Sequence, residues 1–127
     1  MIIRLKRWGW ISGSILILIA IVAEAMQSHA LEGITTEKSA NFLTATRFLF
    51  FNGLGLIALH LLKERHRSNM ISFAGLFILV GTVLFSFTIM IKVFNTLNGW
   101  GWITPLGGAI LIVGWILVII SAFRASY

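Results

Sequence analysis

Arg47, Asn52 and His60 fall within one largely apolar stretch, Asn41 to Leu62, which is long enough to cross a bilayer. Ionisable or hydrogen-bonding side chains at membrane depth are costly and therefore usually functional. Three chemistries use them. A pair of histidines can ligate a haem between helices, a series of ionisable groups can relay protons or ions, and an amide such as that of Asn52 can hydrogen-bond a neighbouring helix or a bound molecule.

Spacing argues against the first. His29 falls in the polar segment after the first apolar run, whereas His60 lies about 18 residues into the second helix, roughly 27 Å deeper at 1.5 Å per residue, so the two cannot share an iron. His66 belongs to a basic turn with Lys63, Arg65 and Arg67, where a further cation is disfavoured. Transport is poorly served too, since Asn52, Thr82 and Ser86 are too few to line a conduction path. Glu24 and Arg47 lie near the outer hydrocarbon boundary, each close enough to a helix end to snorkel, and form a candidate ion pair tying the first two helices together. Asn52, about 140° around the helix from Arg47, is read as an interhelical hydrogen-bonding group worth about 0.6 to 2 kcal/mol. No nucleophile with a base, metal-ligand set or phosphate loop occurs at usable spacing. The chain has no cysteine, which excludes disulfides, thiolate metal sites and cysteine nucleophiles. We therefore expect no enzyme, no cofactor and no metal.

The elements that must position these residues follow from composition. The 127 residues are 58% hydrophobic and only 11% charged, with a mean hydropathy of +0.96, whereas a soluble domain is about 25% charged. Continuous apolar runs indicate helices rather than barrel strands, and the length allows four spans with short loops. We expect an all-α, single-domain membrane four-helix bundle over residues 1–127, up-down-up-down, with spans at about 8–26, 42–62, 70–93 and 105–123. The run Ile11 to Ala23, followed by Ala23-Glu24-Ala25, has the outline of a signal peptide, but Trp8 and Trp10 suit the inner interface of a first transmembrane helix. Glu24 to Asn41 is expected as the first loop, with Thr35 or Thr36 capping the second helix. Thr104 followed by Pro105 predicts the start of the fourth, threonine as the cap and proline at the first helical position.

The basic residues mark helix ends. Arg4, Lys6, Arg7, Lys63, Arg65, Arg67 and Arg124 lie on one side and Lys38, Arg47 and Lys92 on the other, which predicts both termini in the cytoplasm. The formal charge of +6 thus reports topology and headgroup contact, not nucleic-acid binding. Small residues mark the packing faces, because lipid gives helices no hydrophobic reason to associate and close approach must do so instead. They are Gly9 and Gly13 in the first helix, Asn52 and Gly55 in the second, Gly75, Thr82 and Ser86 in the third, and Gly107 and Gly114 in the fourth.

Several phrases together resemble one family. They are Ser28-His29-Ala30-Leu31, Thr44-Ala45-Thr46-Arg47-Phe48, Phe85-Ser86, and Ile103-Thr104-Pro105-Leu106-Gly107-Gly108 with Gly114-Trp115, spread over about Ala23 to Phe123. The chain resembles the small integral-membrane family called domain of unknown function 423, or transmembrane protein 256-like. The resemblance implies four helices and an inner-membrane location, carries no established activity, and makes Ser28, His29, Arg47, Thr104, Pro105, Gly107, Gly108 and Trp115 the motif residues. The chain departs from the family where Glu24-Ala25-Met26-Gln27 and Phe48-Leu49-Phe50-Phe51 replace glycines and polar side chains. Loss of those polar residues while the small-residue faces remain favours packing over chemistry. The expected function is a non-enzymatic accessory or structural subunit of the cell inner membrane, held in the lipid bilayer and packed against partner subunits or as a homo-oligomer. The alternative is binding or transport of a small apolar molecule or lipid within the bundle.

Overall fold

A computed structural model describes residues 7–30, 35–66, 68–94, 99 and 101–125. Arg4, Lys6, Leu31, Glu32, Arg67 and Trp100 lie outside them, as does the side chain of His29. Four helices make up the fold: α1 (Trp8–Ala30), α2 (Thr36–His66), α3 (Asn69–Phe94) and α4 (Ile103–Arg124). All four are long and apolar enough to cross a membrane, and no strand occurs among the described residues.

The helix ends depart from the sequence reading in α1 and α4 and follow it at the Thr35 cap of α2, each with a local cause. α1 runs through Glu24, Gln27 and Ser28, expected as loop, because Gln27 Nε2 donates to Ser39 Oγ at 2.8 Å and to the Ser39 carbonyl at 3.1 Å, which docks this last turn on the start of α2. α2 starts at Thr36, where Thr35 Oγ1 accepts the Lys38 backbone N–H at 3.2 Å. Its 31 residues span roughly 46 Å, more than a bilayer core of roughly 30 Å. α4 begins at Ile103, and Trp102, not Thr104, is its cap residue. Pro105 still lacks nothing: the first helical bond is that of Leu106 N–H to the Trp102 carbonyl at 3.2 Å, one residue later. Thr104 Oγ1 instead accepts from Lys92 Nζ at 3.3 Å.

Packing is organised as two tight pairs. α1 lies on α2 where Gly13 faces Gly53; a Cβ on Gly13 would stand 2.5 Å from the Gly53 carbonyl oxygen, and one on Gly53 would stand 2.8 Å from that of Gly13. α3 lies on α4 through a second reciprocal glycine pair, Gly81 and Gly107, with Gly114 against Ile78 one step along. α2 and α3 join the pairs, and α2 is the most enclosed: 44% of its apolar window is buried against 22% for α4. Leu16, Ala20, Leu49, Leu56, Leu59, Ile71, Ile78 and Leu111 make the main core, with Ala23, Phe42 and Val93 as a smaller cluster at the other end. Gly75 admits the Trp8 ring, whose Cη2 would be 2.9 Å from an added Cβ.

One irregularity was not legible in the sequence. α3 is α-helical over Asn69–Thr82 and Thr88–Phe94 but forms a π-helical turn over Val83–Phe87. π-turns are rare and often mark functional positions. This one lies against Gly107, whose added Cβ would meet the Phe85 nitrogen at 2.5 Å.

Candidate functional site

The buried amide of α2 is tied to α4. Asn52 is 6% exposed. Its Oδ1 accepts from Trp115 Nε1 at 2.9 Å, and its Nδ2 donates to the Phe48 carbonyl one turn earlier at 2.9 Å. Gly55 provides the recess for the indole: a Cβ there would be 2.8 Å from both Cη2 and Cζ2 of Trp115. Asn52, Gly55 and Trp115 therefore form one α2–α4 tie, in which the amide receives the indole N–H. The sequence offered Trp115 only as part of a motif, since nothing in helical spacing identifies which residue on a distant helix an asparagine meets.

The hydroxyls of α3 behave differently from one another. Thr82 Oγ1 donates to the Ile78 carbonyl at 2.6 Å, and Thr88 Oγ1 donates to the Leu84 carbonyl. Such back-bonding satisfies a hydroxyl within its own helix. Ser86, inside the π-turn and fully buried, has no hydrogen-bond partner for its Oγ among the described residues. A buried hydroxyl left unpaired loses its bonds to water and gains none. Ser86→Ala is accordingly expected to raise stability by about 1 kcal/mol, read as a higher melting temperature in detergent, and a variant less stable than the parent would show that the hydroxyl is paired in the membrane.

His60 is 7% exposed and enclosed between α1 and α2. Gly9 explains this, because a Cβ on that residue would stand 3.2 Å from the His60 Cβ, so the glycine lets α1 close over the ring. Glu64 reaches back one turn to place Oε1 3.4 Å from His60 Nε2, and the Trp10 ring lies 6.2 Å from the imidazole. His29 is in the last turn of α1, not in a loop. Next to it, Ser28 Oγ donates to the Glu24 carbonyl at 3.2 Å.

Glu24 and Arg47 do not form the expected ion pair. Both are exposed, and they border one cleft between α1 and α2 without closing on each other. The close approach of the two helices is at Gly13 and Gly53, well along the helices from this level, and the bulk of Ile21, Phe50 and Phe51 lines the opening. Gly108 faces only the Phe85 ring, at 3.6 Å. Among the described residues no three His, Asp or Glu side chains come together as a metal set.

Comparison with known proteins agrees with this architecture. Residues 23–108 match the family described as "Protein of unknown function (DUF423)", a match that ends on Gly108 and leaves Trp115 beyond it. A UPF0382 membrane protein of Staphylococcus haemolyticus is 30% identical over 115 residues, covering 90% of this chain and 93% of that one. The UPF0382 membrane protein YwdK of Bacillus subtilis is 30% identical over 116 residues, 90% of this chain and 94% of its own. The UPF0382 inner membrane protein YgdD of Escherichia coli (strain K12) is 30% identical over 81 residues, 64% and 62% of the two chains. No solved structure matches. With four helices able to span a membrane and relatives of this kind, the protein is a small multi-pass protein of the inner membrane, and the chain belongs to the DUF423 family.

Proposed function

We propose that the protein is a non-enzymatic membrane subunit that acts by packing, either against a larger membrane complex or against copies of itself, with both termini in the cytoplasm. One observation carries this reading: the buried amide of Asn52 is engaged by Trp115 and by its own helix, so the most polar group at mid-depth holds helices together. The Gly13–Gly53 and Gly81–Gly107 contacts serve the same end, bringing the backbones of each pair close together. α4 is the least enclosed helix and presents Ile112, Ile116, Ile119 and Phe123 outward, a broad apolar face suited to lipid or to another membrane helix. The orientation rests on the excess of lysine and arginine near the termini and in the α2–α3 turn. Cross-linking in native membranes, followed by extraction in a mild detergent, should return a stoichiometric multimer or partner. Recovery of the monomer alone would count against the reading.

The unpartnered hydroxyl of Ser86 favours a second reading, a small apolar molecule or lipid bound within the bundle. The Asn52–Trp115 pair separates the two. In a double-mutant cycle, Asn52→Leu and Trp115→Phe should couple by about 0.6 to 2 kcal/mol, the range found for interhelical hydrogen bonds in membranes. Packing predicts that this coupling appears in unfolding measurements. Ligand binding predicts instead that Asn52→Leu loses a copurifying molecule while the melting temperature holds.

A further inference from the structure

The cleft bordered by Glu24 and Arg47 has a feature that a structural ion pair would not leave. A carboxylate and a guanidinium share one opening of about 170 Å³, yet make no ion-pair contact within 4 Å. Its walls are apolar: Ala20 and Ile21 from α1, Phe50 and Phe51 from α2. Thr46, also at the wall, donates its hydroxyl to the Leu43 carbonyl at 2.9 Å and so is satisfied within its own helix.

Depth along the helices fixes what meets this opening. Glu24 lies 16 residues beyond Trp8 and Arg47 lies 15 residues before Leu62, which places both roughly 22 to 24 Å from the opposite interface at 1.5 Å per residue. In a hydrocarbon core of roughly 30 Å, that is just inside the far boundary, where the acyl chains of a lipid give way to its headgroup. Arg47 by itself would attract any phosphate, and an anionic lipid most of all. Glu24 beside it reverses that preference: it repels a second negative charge and attracts a cation. The pair of charges on one groove is complementary to a headgroup that carries both a phosphate and an ammonium. A primary ammonium can donate hydrogen bonds to the carboxylate, whereas a quaternary one has no N–H to donate.

We infer that this groove binds a phospholipid with a zwitterionic primary-amine headgroup, of the phosphatidylethanolamine class, its phosphate on Arg47, its ammonium on Glu24 and one acyl chain along Ile21, Phe50 and Phe51. The site is independent of the packing role, since it lies on the open side of the α1–α2 pair. The test is competition for the purified full chain in detergent, offered equal amounts of phosphatidylethanolamine, phosphatidylglycerol and phosphatidylcholine of matched acyl chains, with bound lipid counted by native mass spectrometry. The expected result is retention of phosphatidylethanolamine about five-fold over each of the others, the factor of one charge contact near a lipid surface. Glu24→Gln should erase the advantage over phosphatidylglycerol, and Arg47→Gln should lower retention of all three lipids, whose shared phosphate it holds, with helical circular dichroism unchanged. Equal retention of the three lipids by the unaltered protein overturns the inference, as does a preference for phosphatidylglycerol or an unchanged ratio in Glu24→Gln. Displacement of the lipid by free phosphoethanolamine would also overturn it, by removing the acyl chain from the recognition. The competition on the unaltered chain stands even if a variant fails to fold.

Discussion

Valine at Gly53 is expected to separate α1 from α2 and to destabilise the protein by about 3 kcal/mol or more, the upper end of what overpacking costs. The reason is what an added carbon would meet. A Cβ at this position lies 2.8 Å from the Gly13 carbonyl oxygen and 2.9 Å from Ile17 Cγ1, while its counterpart on Gly13 lies 2.5 Å from the Gly53 carbonyl oxygen. An isoleucine tip can turn away, but a backbone carbonyl in a helix can retreat only if the whole helix moves. Against this stands the higher helix propensity of a residue other than glycine, worth up to about 1 kcal/mol, so sterics should win. In lipid the loss is not recovered by hydrophobic burial, because close packing is itself what drives the helices together. The Leu16, Ala20 and Ala23 side of α1 would lose contact along with it. Unfolding in mixed micelles measures the difference, and a Gly53→Val variant within about 0.5 kcal/mol of the parent, the range of a neutral surface change, would sink the argument. Gly13→Ala combined with Gly53→Ala should cost less than the sum of the two, since helices already parted for one methyl meet the other more easily.

The same pair shows what the sequence could and could not reveal. Four membrane helices were legible because a continuous apolar run of that length has few other fates. The second helix, however, has neighbours on several sides, and its small-residue face was traced through Asn52 and Gly55. These two face Trp115 of α4, while the glycine between them, Gly53, turns to α1. Residues two apart on a helix lie about 200° apart, so Gly53 and Gly55 serve different partners, and periodicity within one helix does not say which. The same holds on α3: Gly75 was read from the stripe and admits Trp8, but it is Gly81 that meets α4. Ion pairing between Glu24 and Arg47 was inferred from their similar depth, which is necessary for contact and not sufficient. The π-turn has no sequence signal at all, because Val83 to Phe87 is as apolar as its flanks.

That turn is the setting for the second large effect, which splits two adjacent glycines. Gly107→Val is expected to cost about 3 kcal/mol or more, and Gly108→Ala to cost nothing or to stabilise by up to about 1 kcal/mol through helix propensity. A Cβ on Gly107 would stand 2.5 Å from the Phe85 nitrogen, 3.0 Å from the Leu84 carbonyl carbon and 3.0 Å from the Gly81 carbonyl oxygen, all of them backbone and two of them inside the π-turn. A Cβ on Gly108 would meet only the Phe85 ring, at 3.6 and 3.7 Å, which is ordinary contact. A valine at 107 must therefore move either α4 or the wide turn of α3, and both are fixed elsewhere, α4 by Gly114 on Ile78 and by Trp115 on Asn52. Thermal unfolding of the two variants beside Gly107→Ala tests this, because alanine at 107 and alanine at 108 add the same methyl to neighbouring positions of one motif and only the surroundings differ. Equal losses at 107 and 108 would mean that the motif is required for something other than the approach of α4 to the π-turn. A loss confined to 107 would show that close approach is what the first glycine provides.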